Sequence, residues 1–117
     1  MDTPKSPAVI KDWHAHIYYT PHTREQAAQL RAWIGERFPE AVLGRWHEEK
    51  VGPHAQAMYQ VLFGVELYAE LVPFIALNRN ELTVLVHPNT GRDRDDHSHH
   101  AAWMGAVLPV DLSVLTN

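Results

Sequence analysis

The stretch Trp13-His14-Ala15-His16-Ile17-Tyr18-Tyr19 constrains the fold more tightly than any other part of the chain. In a β-strand successive side chains point to opposite faces, so His14, His16 and Tyr18 share one face. Trp13, Ala15, Ile17 and Tyr19 share the other and can be buried. Two histidines at i and i+2 stand roughly 6.5–7 Å apart at Cα, close enough for both imidazoles to reach one ion. The remainder of the chain must bury one face of this strand and complete the chemistry of the other.

Composition narrows what that chemistry can be. The chain has 117 residues, 45% of them hydrophobic, which suits one domain with a modest core. A net charge of −4 provides no pull toward nucleic acid or anionic lipid, and neither is expected as a partner. There is no cysteine, so disulfides, thiolate catalysis and iron–sulfur clusters are excluded, and any metal must be held by histidine and oxygen ligands. The start, MDTPKSPAVIKD, lacks the apolar core of a signal peptide, and no apolar run approaches the ~20 residues of a membrane span. A cytoplasmic protein is expected. Nine histidines are present, and most are grouped: His14 with His16, His47 with His54, then His87, and finally His97, His99 and His100. They are spread through the chain rather than run together at an end, as a tag would be.

Taken in order, residues 1–10 read as a flexible arm. A first strand is predicted over 11–20, stopped by Pro21. Thr23 with Gln26 three residues on forms a capping-box pattern, and a helix should run from there to Phe38, ended by Pro39. Its apolar stripe is Ala27, Leu30, Ile34 and Phe38. A second strand is predicted over 41–48, a turn over 49–54 and a third strand over 57–63. Residues 65–77 read as a helix in which Pro73 should force a kink or a division into two. A turn at 78–80 leads to a fourth strand over 82–87, stopped by Pro88. The domain is expected to span 11–105, with 106–117 as a C-terminal tail.

The order β-α-β-β-α-β is the ferredoxin-like motif, an antiparallel α+β sheet with both helices on one face. Strand order 4-1-3-2 makes the first strand central and sets His87 near His14 and His54 near His47 and the tyrosines. Two clusters, or one elongated cleft with a cluster at each end, are expected. The sheet's second face, with Met58, Leu62 and Leu85, would be too apolar to stay uncovered, which predicts a homodimer.

Imidazole suits Fe, Zn, Cu and Ni, and two histidines with a carboxylate suit oxygen-activating Fe(II). Topology selects His14, His16, His87 and His100 as metal ligands. The carboxylate is open among Glu48, Glu49, Asp93, Asp95 and Asp96, and an all-histidine site would dispense with it. His54 and His47 are candidates for a general acid or base because imidazole titrates near neutrality. Trp46 and Trp33 read as core residues.

Four stretches together resemble the DOPA 4,5-dioxygenase family, of the fungal type and its small bacterial relatives. They are His14-Ala15-His16-Ile17-Tyr18-Tyr19, Val51-Gly52-Pro53-His54, Val86-His87-Pro88-Asn89-Thr90-Gly91, and His97-x-x-His100-Ala-x-Trp103-x-Gly105. The resemblance runs from about Lys11 to Gly105. It implies extradiol cleavage of a catechol such as DOPA by O₂ with a non-haem metal, Fe(II) first. The family's motif histidines map onto His14, His16, His54, His87, His97 and His100. In that chemistry His54 would carry a proton and Tyr18 would hydrogen-bond the substrate. Two other readings predict different behaviour: a cofactor-free histidine acid–base enzyme of this fold, and a metal- or small-molecule-binding module without turnover.

Overall fold

The computed structural model describes residues 3–117; Met1 and Asp2, part of the expected arm, lie outside the described residues. Its elements are β1 (Asp12–Tyr18), α1 (Arg24–Arg37), β2 (Val42–Leu43), β3 (Met58–Phe63), α2 (Tyr68–Asn78), β4 (Thr83–Asn89), the single turn α3 (Asp93–Asp96) and β5 (Ala102–Met104). The strands form one antiparallel sheet in the order β2-β3-β1-β4-β5. This is the expected 4-1-3-2 arrangement with β5 added outside β4. β1 is central, and its register sets His14 opposite Leu62 on one side and His87 on the other.

The two-residue period divides the sheet into two chemically distinct faces. Ala15 and Ile17 of β1, Tyr59, Val61 and Phe63 of β3, and Val84 and Val86 of β4 are buried against Ala27, Leu30 and Ile34 of α1 and Leu71 and Ile75 of α2. Both helices therefore cover one face, as the alternation requires. Tyr59 ties the layers together, its hydroxyl donating to the Ala27 carbonyl at 2.7 Å. That bond satisfies a polar group that burial would otherwise penalise.

Four local expectations change. The second strand shrinks from 41–48 to Val42–Leu43. Gly44 is the last residue of this stretch to hug β3, its N–H donating to the Gln60 carbonyl at 2.7 Å, where a Cβ would stand 3.2 Å from that oxygen. The chain then leaves the sheet and rejoins it only at the His47–Met58 bridge.

The capping box does not form. Thr20 and Thr23 bond each other's backbone N–H instead, and Gln26 reaches across to Glu81, donating to its carboxylate at 2.7 Å and accepting its N–H at 3.2 Å. This pins the start of α1 to the turn before β4. Nor does Pro73 divide a helix. A 3₁₀ turn, Val65–Leu67, leads into α2, which continues past Pro73. Ala69, whose carbonyl the proline leaves without its helical partner, is exposed, so water can serve it.

The fourth change concerns the face opposite the helices. Met58 and Leu85, expected to be uncovered, are buried with Tyr18 in a second cluster, packed by Val51, Ala101, Trp103 and Leu108. The chain's own loop and C-terminal segment supply this cover, so the burial of Met58 and Leu85 needs no second copy. Val110 bridges to His54, and the Asp111 N–H donates to the Pro53 carbonyl at 2.8 Å. No helix among the described residues is long and apolar enough to cross a membrane.

Leu30 is fully buried between α1 and the sheet. Leu30→Ala is expected to cost about 2–5 kcal/mol, read as a lower urea midpoint with an unchanged slope.

Candidate active site

Five histidines converge on the second face. His14 and His16 project from β1, His87 from β4, His54 directly follows Gly52-Pro53 in a turn, and His97 is the residue just after α3. Ring centroids lie 5.1 Å apart for His14–His87, 5.1 Å for His16–His87, 4.2 Å for His16–His54 and 4.1 Å for His87–His97. In place of two clusters, or a cleft with a cluster at each end, the rings form a single cluster. His14, His16, His54 and His97 line a cavity of about 330 Å³ whose walls include His47, Val51, Pro53, Met58, Gln60, Asn89 and Asp93, and His87 lies fully buried behind them.

Two overlapping triplets can hold an ion, His14-His16-His87 and His16-His54-His97, with one nitrogen of each member within 4.8 Å of the others. Among the described residues no carboxylate joins either triplet. Glu48 is taken up by the Tyr19 hydroxyl and by Arg24, at 2.7 Å each, and Asp95 pairs with Arg92. Asp93 reaches only the cavity wall. His100 stands apart from the cluster: its Nδ1 donates to Asp96, and the ring lines a different cavity beneath the N-terminal segment. The i, i+3 spacing of His97 and His100 would align them only on a continuing helix. α3 ends at Asp96, so the two rings part, and His97 enters the cluster where sequence reasoning placed His100. The family motif named both His97 and His100, and no local periodicity could choose between the two.

The cluster's protons can be located from its partners. His87 Nδ1 faces the Pro88 carbonyl at 2.9 Å. A carbonyl only accepts, so Nδ1 carries the proton and Nε2 of the neutral ring is a bare lone pair. That Nε2 lies 3.0 Å from His16 Nε2. If His16 donates here, its buried Nδ1 is left an unpartnered acceptor. If its proton sits on Nδ1, two lone pairs confront each other with a buried donor unmet. A cation accepting both Nε2 lone pairs relieves the confrontation, and the separation matches neighbouring ligands on one ion with bonds of about 2.1 Å. The donor set therefore fits a divalent metal that accepts imidazole.

Electrostatics favour the neutral form of His14, His16, His54 and His87. Burial, then the neighbouring His54, His87, His14 and His97, holds His16 far below the usual imidazole range. Burial pushes His54 down to about 4 and His87 to about 3, with His97 adding to both. His14 is lowered by burial as well, against an opposing pull from Asp12. Tyr18, raised by burial, keeps its proton and lies 2.6 Å from His54 Nδ1. The Tyr18 ring stacks on Trp103 at 5.8 Å. On the helix face Tyr19 is pushed up to about 12 by burial and by Glu48.

These shifts give the metal-free chain a definite acid response. Between the unfolded value of 6.5 and the folded values near 4 for His54 and 3 for His87, only the unfolded chain takes up these protons. The advantage of the folded form is therefore complete above pH 6.5 and is lost as pH falls through this window. The melting temperature of metal-free protein is expected to drop from pH 7 to pH 4, and the drop should be shallower in His54→Gln.

Known proteins align with this picture. The model of the Dopa 4,5-dioxygenase family matches residues 13–114. A protein of Amanita muscaria named DOPA 4,5-dioxygenase is 31% identical over 114 residues, covering 91% of this chain and 50% of that protein. An uncharacterised 21.2 kDa protein of Botryotinia fuckeliana is 40% identical over 111 residues, covering 86% of this chain and 61% of that protein. The chain thus spans between half and two thirds of the length of these fungal relatives. A crystal structure from Nostoc punctiforme, described as that of a candidate dioxygenase, superposes with a TM-score of 0.93 at 39% identity, covering 95% of this chain and 96% of that one. With a matched region that includes all five clustered histidines, this chain belongs to the Dopa 4,5-dioxygenase family.

Proposed function

We propose that this protein opens the ring of a catechol by extradiol cleavage with O₂, DOPA being the reference substrate of its family. The observation that carries the reading is the packing of five histidines into one cluster, four of them lining a cavity and His14, His16, His54 and His87 favoured in the neutral form. About 330 Å³ lies at the lower end of the range for small-molecule sites and suits a single-ring substrate. In the overall reaction one carbon–carbon bond beside the diol breaks and both oxygen atoms of O₂ enter the product.

His14, His16 and His87 would hold the metal. They sit on two adjacent hydrogen-bonded strands, the part of the site with least freedom to shift. When bound, a divalent ion, Fe(II) by the chemistry of the family, supplies a Lewis acid and redox partner open to both catechol and O₂.

The remaining residues handle protons and exclude water. Tyr18 can donate to His54 Nδ1, leaving an Nε2–H donor, or accept from Nδ1–H, leaving an Nε2 lone pair that takes a phenolic proton. A phenol serves both states, so His54 exchanges roles without moving a heavy atom. Met58, Val51 and Pro53 provide apolar wall around these groups.

The test is to reload the metal-free protein anaerobically with Fe(II), then add DOPA or simpler catechols with O₂. A yellow ring-opened product with equal O₂ uptake is expected. His16→Ala and His87→Ala should abolish both, and His54→Gln should lower kcat by roughly 10²–10⁴. Tyr18→Phe should cost less, since the imidazole remains. Metal binding without O₂ uptake on any catechol would replace this reading with that of a binding module, and turnover in metal-free protein with that of a cofactor-free enzyme.

A further inference from the structure

Asp96 is fully buried, an unusual position for a carboxylate, and has no part in the chemistry above. It accepts from the Thr90 N–H at 2.8 Å, the Thr90 hydroxyl at 2.8 Å and His100 Nδ1 at 2.9 Å. Three donors fill its two oxygens. An ionised carboxylate so satisfied is costly to disturb, because any donor it loses leaves a buried acceptor unmet.

The place of this clasp in the chain gives it a purpose. Thr90 follows the strand that carries His87, and Asp96 directly precedes His97. Between them Gly91 turns the chain at φ +91°, a conformation that side-chain-bearing residues rarely adopt. Asp96 therefore closes the loop joining the two histidines. The second anchor is local: His97 Nδ1 donates to the Asp93 carbonyl at 2.8 Å, so its Nε2 is the nitrogen free to face the cluster. Backbone bonds from Asp96 to Arg92 and from His97 to Asp93 make the turn stiff enough to transmit the clasp to the ring.

We infer that Asp96, held by Thr90 and His100, is a positioning residue that sets the His97 ring against His87 in the active-site cavity. His100 thereby serves the site from outside it, as a donor to the carboxylate. This deepens the dioxygenase reading and rests on it for its effect on turnover, whereas the placement of the ring is independent of it.

The experiment compares Asp96→Asn, Thr90→Val and His100→Ala with the parent, and with His100→Asn, whose amide can keep an N–H donor toward Asp96. Leu71→Ala, destabilised through the core under α2, controls for stability alone. Histidine ring ¹⁵N and ¹H NMR signals are recorded in metal-free protein, followed by kcat and KM for DOPA in Fe(II)-loaded protein. Asp96→Asn and His100→Ala are expected to shift the His97 and His87 ring signals and to lower kcat at least tenfold. His100→Asn should restore most of both, and Leu71→Ala should change neither. Unmoved His97 signals in folded Asp96→Asn would overturn the inference, as would equal losses in Leu71→Ala. If Asp96→Asn does not fold, Thr90→Val and His100→Ala decide by the same signals. A parent protein that folds but turns over no catechol removes the dioxygenase reading alone, because the ring signals still test the clasp.

Discussion

Everything in this protein depends on the alternation of one central strand. β1 contributes Ala15 and Ile17 to the core under both helices and His14 and His16 to the cavity on the opposite face. Because the period of a strand is two, a register slip by one residue would bury the histidines among aliphatics and expose the core. The helices thus stabilise the register, and the register sets His14 across from His87.

The second constraint is the cost of gathering imidazoles out of water. Burial enforces neutrality on His16, His54 and His87. The ring nitrogens then need partners, which the fold provides from the Pro88 carbonyl, the Asp93 carbonyl and the Tyr18 hydroxyl. One demand stays open, on His16, where two lone pairs and a proton cannot all be accommodated. A cation accepting the His16 and His87 Nε2 lone pairs would relieve that confrontation. Among the described residues no carboxylate joins the two triplets, so a cation held there would have imidazole ligands and its charge would be balanced from substrate or solvent.

The cover of the second face joins stability to function. Val51, Ala101, Trp103 and Leu108 pack on Tyr18, Met58 and Leu85, and the same layer holds the turn bearing His54 and stacks Trp103 on the tyrosine that hydrogen-bonds it. The face looked open in a reading limited to four strands because its cover comes from short, irregular segments, which have no periodicity to announce them. A loop, a three-residue strand and a C-terminal stretch close it by tertiary contact alone.

The alternation in β1, the antiparallel order around it and the pairing of His14 with His87 were legible in the chain itself, because period-two burial and short connections leave few ways to arrange these strands. His14, His16 and Tyr18 could be singled out for the same reason, since each lies on a strand whose face is set by parity. The choice of His97 over His100 was decided only in three dimensions: α3 stops after one turn, and where a helix stops, spacing no longer tells which way a side chain points. The merging of two histidine pairs into one cavity was likewise tertiary, because the reach of His54 to His16 depends on how the turn before it is held by Val110 and Asp111, fifty-six residues away in the sequence at its nearest contact. Local pattern determines which face a residue of a regular element occupies, while the irregular segments take their direction from the surfaces they pack upon.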